Sequence, residues 1–489
     1  MAAAAGFPNH QLLGAYIRQG TSVFGEVPAS GAFEKDEQPA GKSLREILEA
    51  SRWTKHRLLD IVGPGTPEVD EEVVKRTEEE AAQGKALGPF SEEEVDQCLG
   101  KVWAGSRRFG LVQSSGVRPV DDHSEFGQNW TSHTHENIDL GGVDQVAAIA
   151  RLWGTAASGA GKVQVELSTA EVLRGRLHRG FAPKAARSLR GRALDLKRAF
   201  KQLAPLPSLA PLLVIALWHP ARNGVAYCVL RAMSFGARNT VYVFGAVARA
   251  IGMIMSELFL LALSQYVDDF PQVEPEASTD SATVAEEVMQ LRCWEVKRNA
   301  AGGLPCFAST FSALGVVFDL NNVVDNELTI SNKPERATRA SELARTAAVA
   351  LLRESRPRTL LLRDHVPPVL LWVDGSEEQA GVDGGAVLDD RGTVSEYIQF
   401  VVSQELVEAW KRENGLTKVI HQAELLPIAV ALATWRAAVR GRRVIVFVDN
   451  DAARAAMVNG HSGTPASARL VGAAWALAQE QCAYLWFDR

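Results

Sequence analysis

The segment Tyr266-Val267-Asp268-Asp269-Phe270 places two adjacent carboxylates between apolar flanks, and Ala193-Leu194-Asp195-Leu196 places a third after a short apolar run. The first pattern predicts a hairpin tip and the second a strand end. Carboxylate oxygens are the ligands that Mg²⁺ prefers, and three carboxylates around two metal ions form a clamp for in-line phosphoryl transfer. We therefore predict a site for Mg²⁺, or alternatively Mn²⁺, at Asp195, Asp268 and Asp269. An ordinary Asp-rich turn is the alternative for the hairpin acids taken alone.

Length and composition describe a chain that can bury large cores, with 489 residues, 46% hydrophobic and 22% charged. This length predicts about two to four domains, and the composition excludes a disordered or fibrous chain. The N-terminus lacks the basic and long apolar regions of a secretory signal, and the most apolar run, about residues 243–263, contains Arg249 and Glu257. We expect an intracellular protein, cytoplasmic or nuclear, without a membrane partner.

Side chains that often bind transition metals are scattered. The five cysteines form no C-x-x-C pair, which argues against a disulfide framework and against a clustered zinc site. His133 and His135 have an i, i+2 spacing that would suit a metal only on a strand, and we interpret them as polar loop residues.

Charge is distributed unevenly along the chain. Residues 151–250 contain sixteen Lys or Arg against three acids, about +13, in a chain whose formal net charge is −6. A basic block inside an acidic protein is expected where a phosphate backbone docks. We predict that the Lys and Arg residues between Arg174 and Lys201 contact template phosphates, and that Arg187, Arg190 and Arg192 are among them. A solvated basic face is the alternative.

A second motif strengthens the hairpin prediction. The D-L-x-x-A-F motif that begins at Asp195 is followed 73 residues later by the two acids of Y-V-D-D-F, with Phe235-Gly236 and Phe244 between them. This arrangement resembles the palm of a reverse transcriptase.

Segments on either side extend the resemblance. Arg107–Gln113 and Val117–Ser124 are similar to the fingers of the same family, and Leu314-Gly315-Val316 resembles the start of its primer grip. Many relatives have Lys-x-Arg where this chain has a single cation, Arg118. Ser234 stands where many relatives have Pro, and we expect a looser turn there.

The resemblance assigns roles to individual side chains. It implies that the three acids hold the metal ions, that Arg118 binds the incoming triphosphate, and that a lysine after the hairpin, Lys297, protonates pyrophosphate. Phe200 falls at the sugar gate, where a ring excludes a ribose 2′-hydroxyl and favours deoxynucleotides; a core aromatic is the alternative. The remaining implied substrate contacts are Phe235, Gly236 and Tyr266.

The C-terminal part of the chain gives a separate match. Leu371–Ser376, Gln422–Leu426 and Val446–Asp451 follow one another as strand, helix and strand, each with an acid, and resemble ribonuclease H. The resemblance implies converging carboxylates on a central sheet that bind two Mg²⁺ ions and activate water against an RNA phosphodiester. For any one acid, a strand-end or surface position is the alternative. The implied metal ligands are Asp374, Glu424 and Asp449.

The family places a further carboxylate on a helix after the last strand. The sequence ends at Asp488-Arg489, so we expect this unit to be truncated, weak or inactive as a nuclease, and to expose apolar surface near Trp486.

The two resemblances together imply an α+β right-hand polymerase with fingers, palm and a short thumb or connection, followed by an α/β ribonuclease H-like domain. The expected boundaries are 1–70 for an N-terminal extension of unknown role, 71–330 for fingers and palm, 331–367 for the helical thumb or connection and linker, and 368–489 for the ribonuclease H-like domain.

The implied function is RNA-directed DNA synthesis by a retrotransposon enzyme of LTR or DIRS-like type. The implied partners are an RNA template, a DNA primer and product, an RNA–DNA hybrid and dNTPs. Two alternatives stay open: a decayed or domesticated copy that only binds nucleic acid, and an RNA-dependent RNA polymerase.

Overall fold

The computed structural model describes most of the chain as two compact units, Met1–Arg336 and Ala337–Arg489. The described residues are 1–113, 116–158, 161–166, 171–178, 188–290, 294–333, 358–361, 366–378, 381–390, 393–414 and 418–488. The helix predicted from the pattern over residues 337–354, within the expected thumb or connection, lies outside the described residues.

The first unit mixes helices and strands. Its described helices are α1 His10–Gln19, α2 Leu44–Glu49, α3 Ser51–Ile61, α4 Pro67–Ala82, α5 Glu92–Leu99, α6 Val143–Ser158, α7 Arg238–Met253 and α8 Thr279–Gln290. Helices α2 and α5 begin with a capping box, in which Ser43 pairs with Glu46 and Ser91 with Glu94. These reciprocal bonds satisfy N–H groups that have no partner inside the helix.

The described strands of the first unit form several small sheets. They are β1 Glu34–Gln38, β2 Ala86–Phe90, β3 Gly105–Gln113, β4 Gly116–Asp122, β5 Thr134–Asn137, β6 Lys162–Glu166, β7 Val172–Arg176, β8 Leu189–Asp195, β9 Val214–His219, β10 Gly224–Leu230, β11 Asp269–Pro275, β12 Thr310–Ala313, β13 Val316–Asp319 and β14 Glu327–Asn332. The largest sheet has the order β2-β10-β9-β3-β4, and β8 pairs antiparallel with β11.

A large hydrophobic core of the first unit includes residues from the N-terminal segment. Phe7, Tyr16 and Phe24 are buried in the same cluster as Phe244 and Phe270. Burying large apolar side chains is the main favourable contribution to folding. The expected extension over residues 1–70 is therefore an integral part of the first unit.

Helix α7 crosses this core and is shorter than its apolar pattern predicts. The pattern indicates one helix over about residues 239–265, but α7 ends at Met253, and a single π-helical turn, Ile254–Leu258, follows it. The helix stops because Leu263 and Ser264 are needed as an extended partner of β11, where Ser264 N donates to Pro271 O at 2.8 Å.

Among the described residues, one helical stretch, Arg238–Leu258, is long and apolar enough to cross a membrane by length and composition alone. Within its most apolar window, 56% is buried inside the protein. Core helices commonly show such burial.

The interpretation of His133 and His135 as loop residues is wrong. His135 lies on β5, and His133, immediately before it, forms an isolated parallel bridge with Glu26. Side chains two positions apart on extended backbone point to the same face.

The second unit contains one five-stranded sheet with helices. The described strands of this unit are β15 Arg358–Leu361, β16 Val369–Glu378, β17 Gly381–Asp390, β18 Thr393–Val401, β19 Arg443–Val448 and β20 Tyr484–Asp488. Strand β15 is not part of the five-stranded sheet. The described helices are α9 Gln404–Asn414, α10 Ile420–Thr434, α11 Arg436–Val439, α12 Asp451–Asn459 and α13 Pro465–Glu480. The sheet order is β18-β17-β16-β19-β20. Strands β16, β19 and β20 are parallel, while β17 and β18 run antiparallel to their neighbours. Trp486 on β20 is 59% exposed.

Candidate active sites

The structure contains the predicted hairpin and brings its acids to the predicted strand end. Asp269 is the register partner of Asp195 across β8 and β11. Leu196 N donates to Asp268 O at 3.1 Å, and Tyr266 and Asp269 exchange two backbone hydrogen bonds of 2.8 Å. Asp195, Asp268 and Asp269, named here the hairpin cluster, therefore meet at one end of a two-stranded sheet.

The turn itself is strained. Val267 has φ of 51°, in the left-handed region that a β-branched side chain rarely adopts. Strain of this kind persists only where surrounding contacts fix it, and it is concentrated at functional sites. The paired bonds between Tyr266 and Asp269 provide that constraint and place Asp268 in the turn.

The carboxylates of the hairpin cluster destabilise one another's charge. Burial, followed by the charges of Asp195 and Asp268, raises the pKa of Asp269 to about 6. Burial and Asp195 also raise the pKa of Asp268, although Lys297 and Arg118 partly oppose the shift. Asp195 Oδ1 is buried without a hydrogen-bond partner. A divalent cation would relieve both the repulsion and this unsatisfied oxygen, so the residues fit a metal site.

Lys297 pairs directly with an acid of the hairpin cluster. Its Nζ donates to Asp195 Oδ2, and its backbone N donates to Asp195 O at 2.8 Å. The segment is held by a bridge between Leu196 and Val296. The hairpin cluster is not among the sets of three described side chains whose ligand atoms all lie within 4.8 Å of one another.

The predicted substrate contacts form a row from the surface to the core. The Arg118 guanidinium lies 3.9 Å from the centroid of the Phe235 ring, and Phe235 is 53% exposed. Phe235 contacts Phe200 edge-on at 5.2 Å, and Phe200 contacts Phe244 at 5.1 Å. Phe200 is only 8% exposed. It is therefore mainly a core residue, covered by an exposed ring. Tyr266, 44% exposed, lies at the start of the hairpin turn.

The structure explains why position 236 is a glycine, which the sequence alone does not. A Cβ at this position would lie 1.8 Å from Asp121 O, so the backbones could not approach as they do. Asn129 fixes the turn by donating to Gly236 O at 3.0 Å and by accepting from Arg238 N at 2.8 Å. Close packing against Asp121 is sufficient to require glycine at position 236, with or without a substrate contact.

The expectation of a loose turn at Ser234 is wrong. Ser234 is buried, donates to Asp121 Oδ2 at 2.7 Å and lies 2.8 Å from His123 Nε2. Asp121 also accepts two bonds from Arg108, at 2.6 and 3.1 Å. Burial raises the pKa of Asp121, but the Arg108 guanidinium overrides this and holds it well below its usual range. A proline would lack this hydroxyl, so the serine tightens the turn.

Part of the basic block is structural, which contradicts the prediction for Arg192. Arg192 is 1% exposed and donates to Glu286 at 2.5 Å and to Gln272 at 3.1 Å. Arg190 pairs with Glu276 at 3.0 Å. Arg187 lies outside the described residues. A buried guanidinium needs a local carboxylate, so Arg192 stabilises the fold and does not contact a phosphate backbone.

The second unit brings its three predicted acids together. Asp374 lies on β16, Asp449 directly follows the parallel strand β19, and Glu424 lies on α10. Their ligand atoms all lie within 4.8 Å of one another, and we name them the sheet-edge cluster. Val373 pairs with Val448 in the parallel register, so the next residues, Asp374 and Asp449, come side by side although they are distant in sequence.

Close packing of α10 positions Glu424. A Cβ at Gly375 would lie 2.3 Å from the Ala423 carbonyl, so the glycine lets the helix touch the strand. Glu424 is 5% exposed, and its Oε2 has no hydrogen-bond partner. Burial, then Asp449 and Asp374, raises its pKa to about 7. This cluster also fits a divalent cation.

A groove of about 320 Å³ lies beside Asp374 on the sheet surface. Its lining includes Trp372, Gly385, Tyr397 and Gln399. Trp372 stacks on Phe447 with ring centroids 5.1 Å apart. The cluster therefore opens onto an aromatic, solvent-accessible surface.

Comparisons with known proteins give structural likeness only. No protein-family model and no curated protein matches the chain. A foamy viral protease-reverse transcriptase in complex with dsDNA is 11% identical, with 92% of this chain and 95% of that chain covered and a TM-score of 0.36. RNase H1 from the halophilic archaeon Halobacterium salinarum NRC-1 is 15% identical, with 24% of this chain and 81% of that chain covered and a TM-score of 0.20. An N-terminal RNase H domain from Mycobacterium tuberculosis is 18% identical, with 25% and 87% covered and a TM-score of 0.20. Likeness of this degree does not establish a family for this chain.

Proposed function

We propose that the chain is an RNA-directed DNA polymerase of an LTR or DIRS-like retroelement, with a ribonuclease H-like unit attached. The observation that carries the proposal is the pairing of Asp195 with Asp269 across β8 and β11, with Asp268 in the turn. These are the acids of the two motifs that resemble a reverse transcriptase palm.

Asp195, Asp268 and Asp269 would hold Mg²⁺, or Mn²⁺ in its place. Two such ions supply charge compensation and lower the pKa of an attacking hydroxyl in nucleotidyl transfer. The raised pKa of Asp269 and the buried oxygen of Asp195 support a cation there.

We assign Arg118 and Lys297 to the triphosphate. Arg118 lies near enough to lower the pKa of Asp268, and its stacking on Phe235 orients the planar guanidinium for phosphate oxygens. The Nζ of Lys297 lies beside Asp195, where we assign it the role of proton donor to the departing pyrophosphate.

Sugar choice is assigned to Phe200. The assignment rests on the place of Phe200 in the D-L-x-x-A-F motif and on its contact with Phe235, the exposed ring beside Arg118. This gate favours dNTPs and argues against an RNA-dependent RNA polymerase.

The sheet-edge cluster is assigned to RNA–DNA hybrids. Asp374, Glu424 and Asp449 would hold divalent cations, and the aromatic groove beside Asp374 offers a surface for a nucleic acid strand. Intact carboxylates in both clusters argue against a decayed copy that only binds nucleic acid.

Primer extension on an RNA template, with dNTPs or NTPs in Mg²⁺, tests the proposal. We expect DNA synthesis by the wild type and none by Asp268→Asn/Asp269→Asn. Asp280→Asn, an exposed acid on α8, is the matched control and should extend like the wild type. Extension with NTPs only would favour an RNA polymerase, and extension by the double variant would reject the site.

A further inference from the structure

We propose that Glu26, His133, His135 and Glu37 form a binding site for a divalent transition-metal ion of the Zn²⁺ type. The site lies on the first unit and is independent of the polymerase assignment. Its role is structural: it fastens two N-terminal segments to β5.

The side chains already point at one another. Glu26, His133 and His135 each offer a ligand atom within 4.8 Å of the other two. His135 Nε2 lies 3.0 Å from Glu26 Oε1, and His133 Nε2 lies 3.4 Å from Glu37 Oε1. The two imidazole rings are neighbours, with centroids 4.5 Å apart. Two nitrogens and two carboxylates give the four ligands of a tetrahedral site.

Backbone pairing on both sides of β5 produces this convergence. On one side Val27 N donates to His133 O at 2.9 Å and His133 N donates to Gly25 O at 3.1 Å, which brings Glu26 alongside. On the other side β1 pairs with β5, and its register shifts between Lys35 and Gln38. A bulge redirects side chains locally, and Glu37 lies within it.

Contacts that involve no metal fix the backbone of β5 and of the segment around Gly25. Thr134 and Glu136, which alternate with the histidines, are buried. Glu136 accepts from Ser30 N at 2.8 Å and Gly31 N at 2.6 Å, and Asn239 Nδ2 donates to Gly25 O at 2.8 Å. Ligands on a backbone that is fixed by other contacts lose little entropy on binding.

The ligand chemistry selects the class of ion. Imidazole nitrogens suit Zn²⁺ and its transition-metal neighbours, whereas Mg²⁺ and Ca²⁺ prefer all-oxygen sites such as the hairpin and sheet-edge clusters. Ion pairing alone is a weak reason for the arrangement, since the Glu26 and Glu37 side chains are 66% and 71% exposed.

Binding of Zn²⁺ and of Co²⁺, each added alone to the full chain in excess Mg²⁺, tests the site. We expect one tight equivalent, visible bands of tetrahedral Co²⁺, and a higher melting temperature with Zn²⁺, because a ligand that binds the folded state stabilises it. His133→Gln/His135→Gln should lose at least about a hundredfold in affinity and the melting shift. The control His10→Gln/His56→Gln, two exposed histidines of the same unit, should keep both.

A second variant covers the case in which the histidine pair does not fold. Glu26→Gln retains both rings and should still weaken Co²⁺ binding and change the visible spectrum. The proposal is overturned if the wild type binds neither ion tightly, or if affinity is equal in the wild type and in both ligand variants.

Discussion

The hairpin cluster and the sheet-edge cluster each join three carboxylates, but they differ in the charges around them. Lys297 pairs with Asp195 in the hairpin cluster, and Arg118 lies close enough to lower the pKa of Asp268. Around Glu424 the described interactions that lower the pKa are hydrogen bonds from Gly375 and Asn450, without a cationic side chain.

This difference fits two substrates of different charge. A polymerase site must hold a triphosphate. Cations beside its carboxylates compensate the carboxylate charge when the site is empty and the triphosphate charge when the substrate is bound. A hydrolytic site on a nucleic acid strand attacks one phosphodiester, and divalent ions suffice to compensate it. The hairpin cluster is thus partly neutralised by the chain itself, while at the sheet-edge cluster the proposed function assigns charge compensation to added metal.

The largest effect is expected from Asp269→Asn. Single-nucleotide incorporation should fall about a thousandfold or more, because charge stabilisation dominates phosphoryl transfer. The melting temperature should rise in the same variant, since one of three repelling carboxylates is removed. Unchanged incorporation would contradict the role of the hairpin cluster in catalysis. Asp280→Asn is the control for the substitution itself.

A smaller loss is expected from Lys297→Met. Removing the proton donor should lower incorporation about a hundredfold, within the range for general acid catalysis. Because Lys297 lowers the pKa of Asp269, the variant should also need a higher pH for half-maximal rate. Lys101→Met, an exposed lysine elsewhere on the first unit, should change neither quantity. An unchanged rate would contradict the role of Lys297 as proton donor, and a rate loss without a shift of the pH profile would contradict its effect on Asp269.

Phe200→Ala tests whether Phe200 selects the sugar of the incoming nucleotide. Discrimination against rNTPs should fall roughly 10- to 200-fold, the range for steric selection in a pocket. Because Phe200 is 8% exposed, the variant should also lose about 3–5 kcal/mol of unfolding free energy. Phe318→Ala, a buried ring elsewhere in the unit, should lose stability with no change in sugar choice. If both variants discriminate like the wild type, Phe200 is core packing only.

The smallest expected effect is a difference between the two clusters in the pH dependence of their Mn²⁺ affinity. A carboxyl whose folded pKa is raised favours the folded state below its ordinary pKa, near 4, and loses that contribution as pH rises through the folded value. Metal ions need the ionised form, so Mn²⁺ affinity should fall about tenfold per pH unit below about 6 at Asp269 and below about 7 at Glu424. Mn²⁺ binding by Asp268→Asn/Asp269→Asn and by Asp374→Asn/Asp449→Asn isolates each cluster. Coincident pH profiles would contradict the comparison.

The features predictable from sequence are those with a local pattern. Alternation and turn residues locate the hairpin around Asp268 and the strand that ends at Asp195, and the order of strand, helix and strand brings Asp374, Glu424 and Asp449 together. The role of each acid stays a prediction. What the pattern cannot give is the partner of a side chain across the fold.

Several residues illustrate that limit. Arg192 is indistinguishable in sequence from a phosphate-binding arginine, yet Glu286, 94 residues away, fixes it inside the core. Gly236 and Ser234 are explained by Asp121, which is remote in sequence. The pairing of His133 with Glu26 likewise depends on a bridge between distant segments.

The most direct test compares variants of both clusters in one primer-extension assay. A labelled DNA primer on an RNA template, incubated with dNTPs and Mg²⁺, reports DNA synthesis by the wild type, Asp195→Asn and Asp374→Asn. We expect that Asp195→Asn makes no detectable product, whereas Asp374→Asn extends within about twofold of the wild type because its substitution lies in the other unit. Extension by Asp195→Asn at the wild-type rate, or an equal loss in Asp374→Asn, would contradict the proposed function.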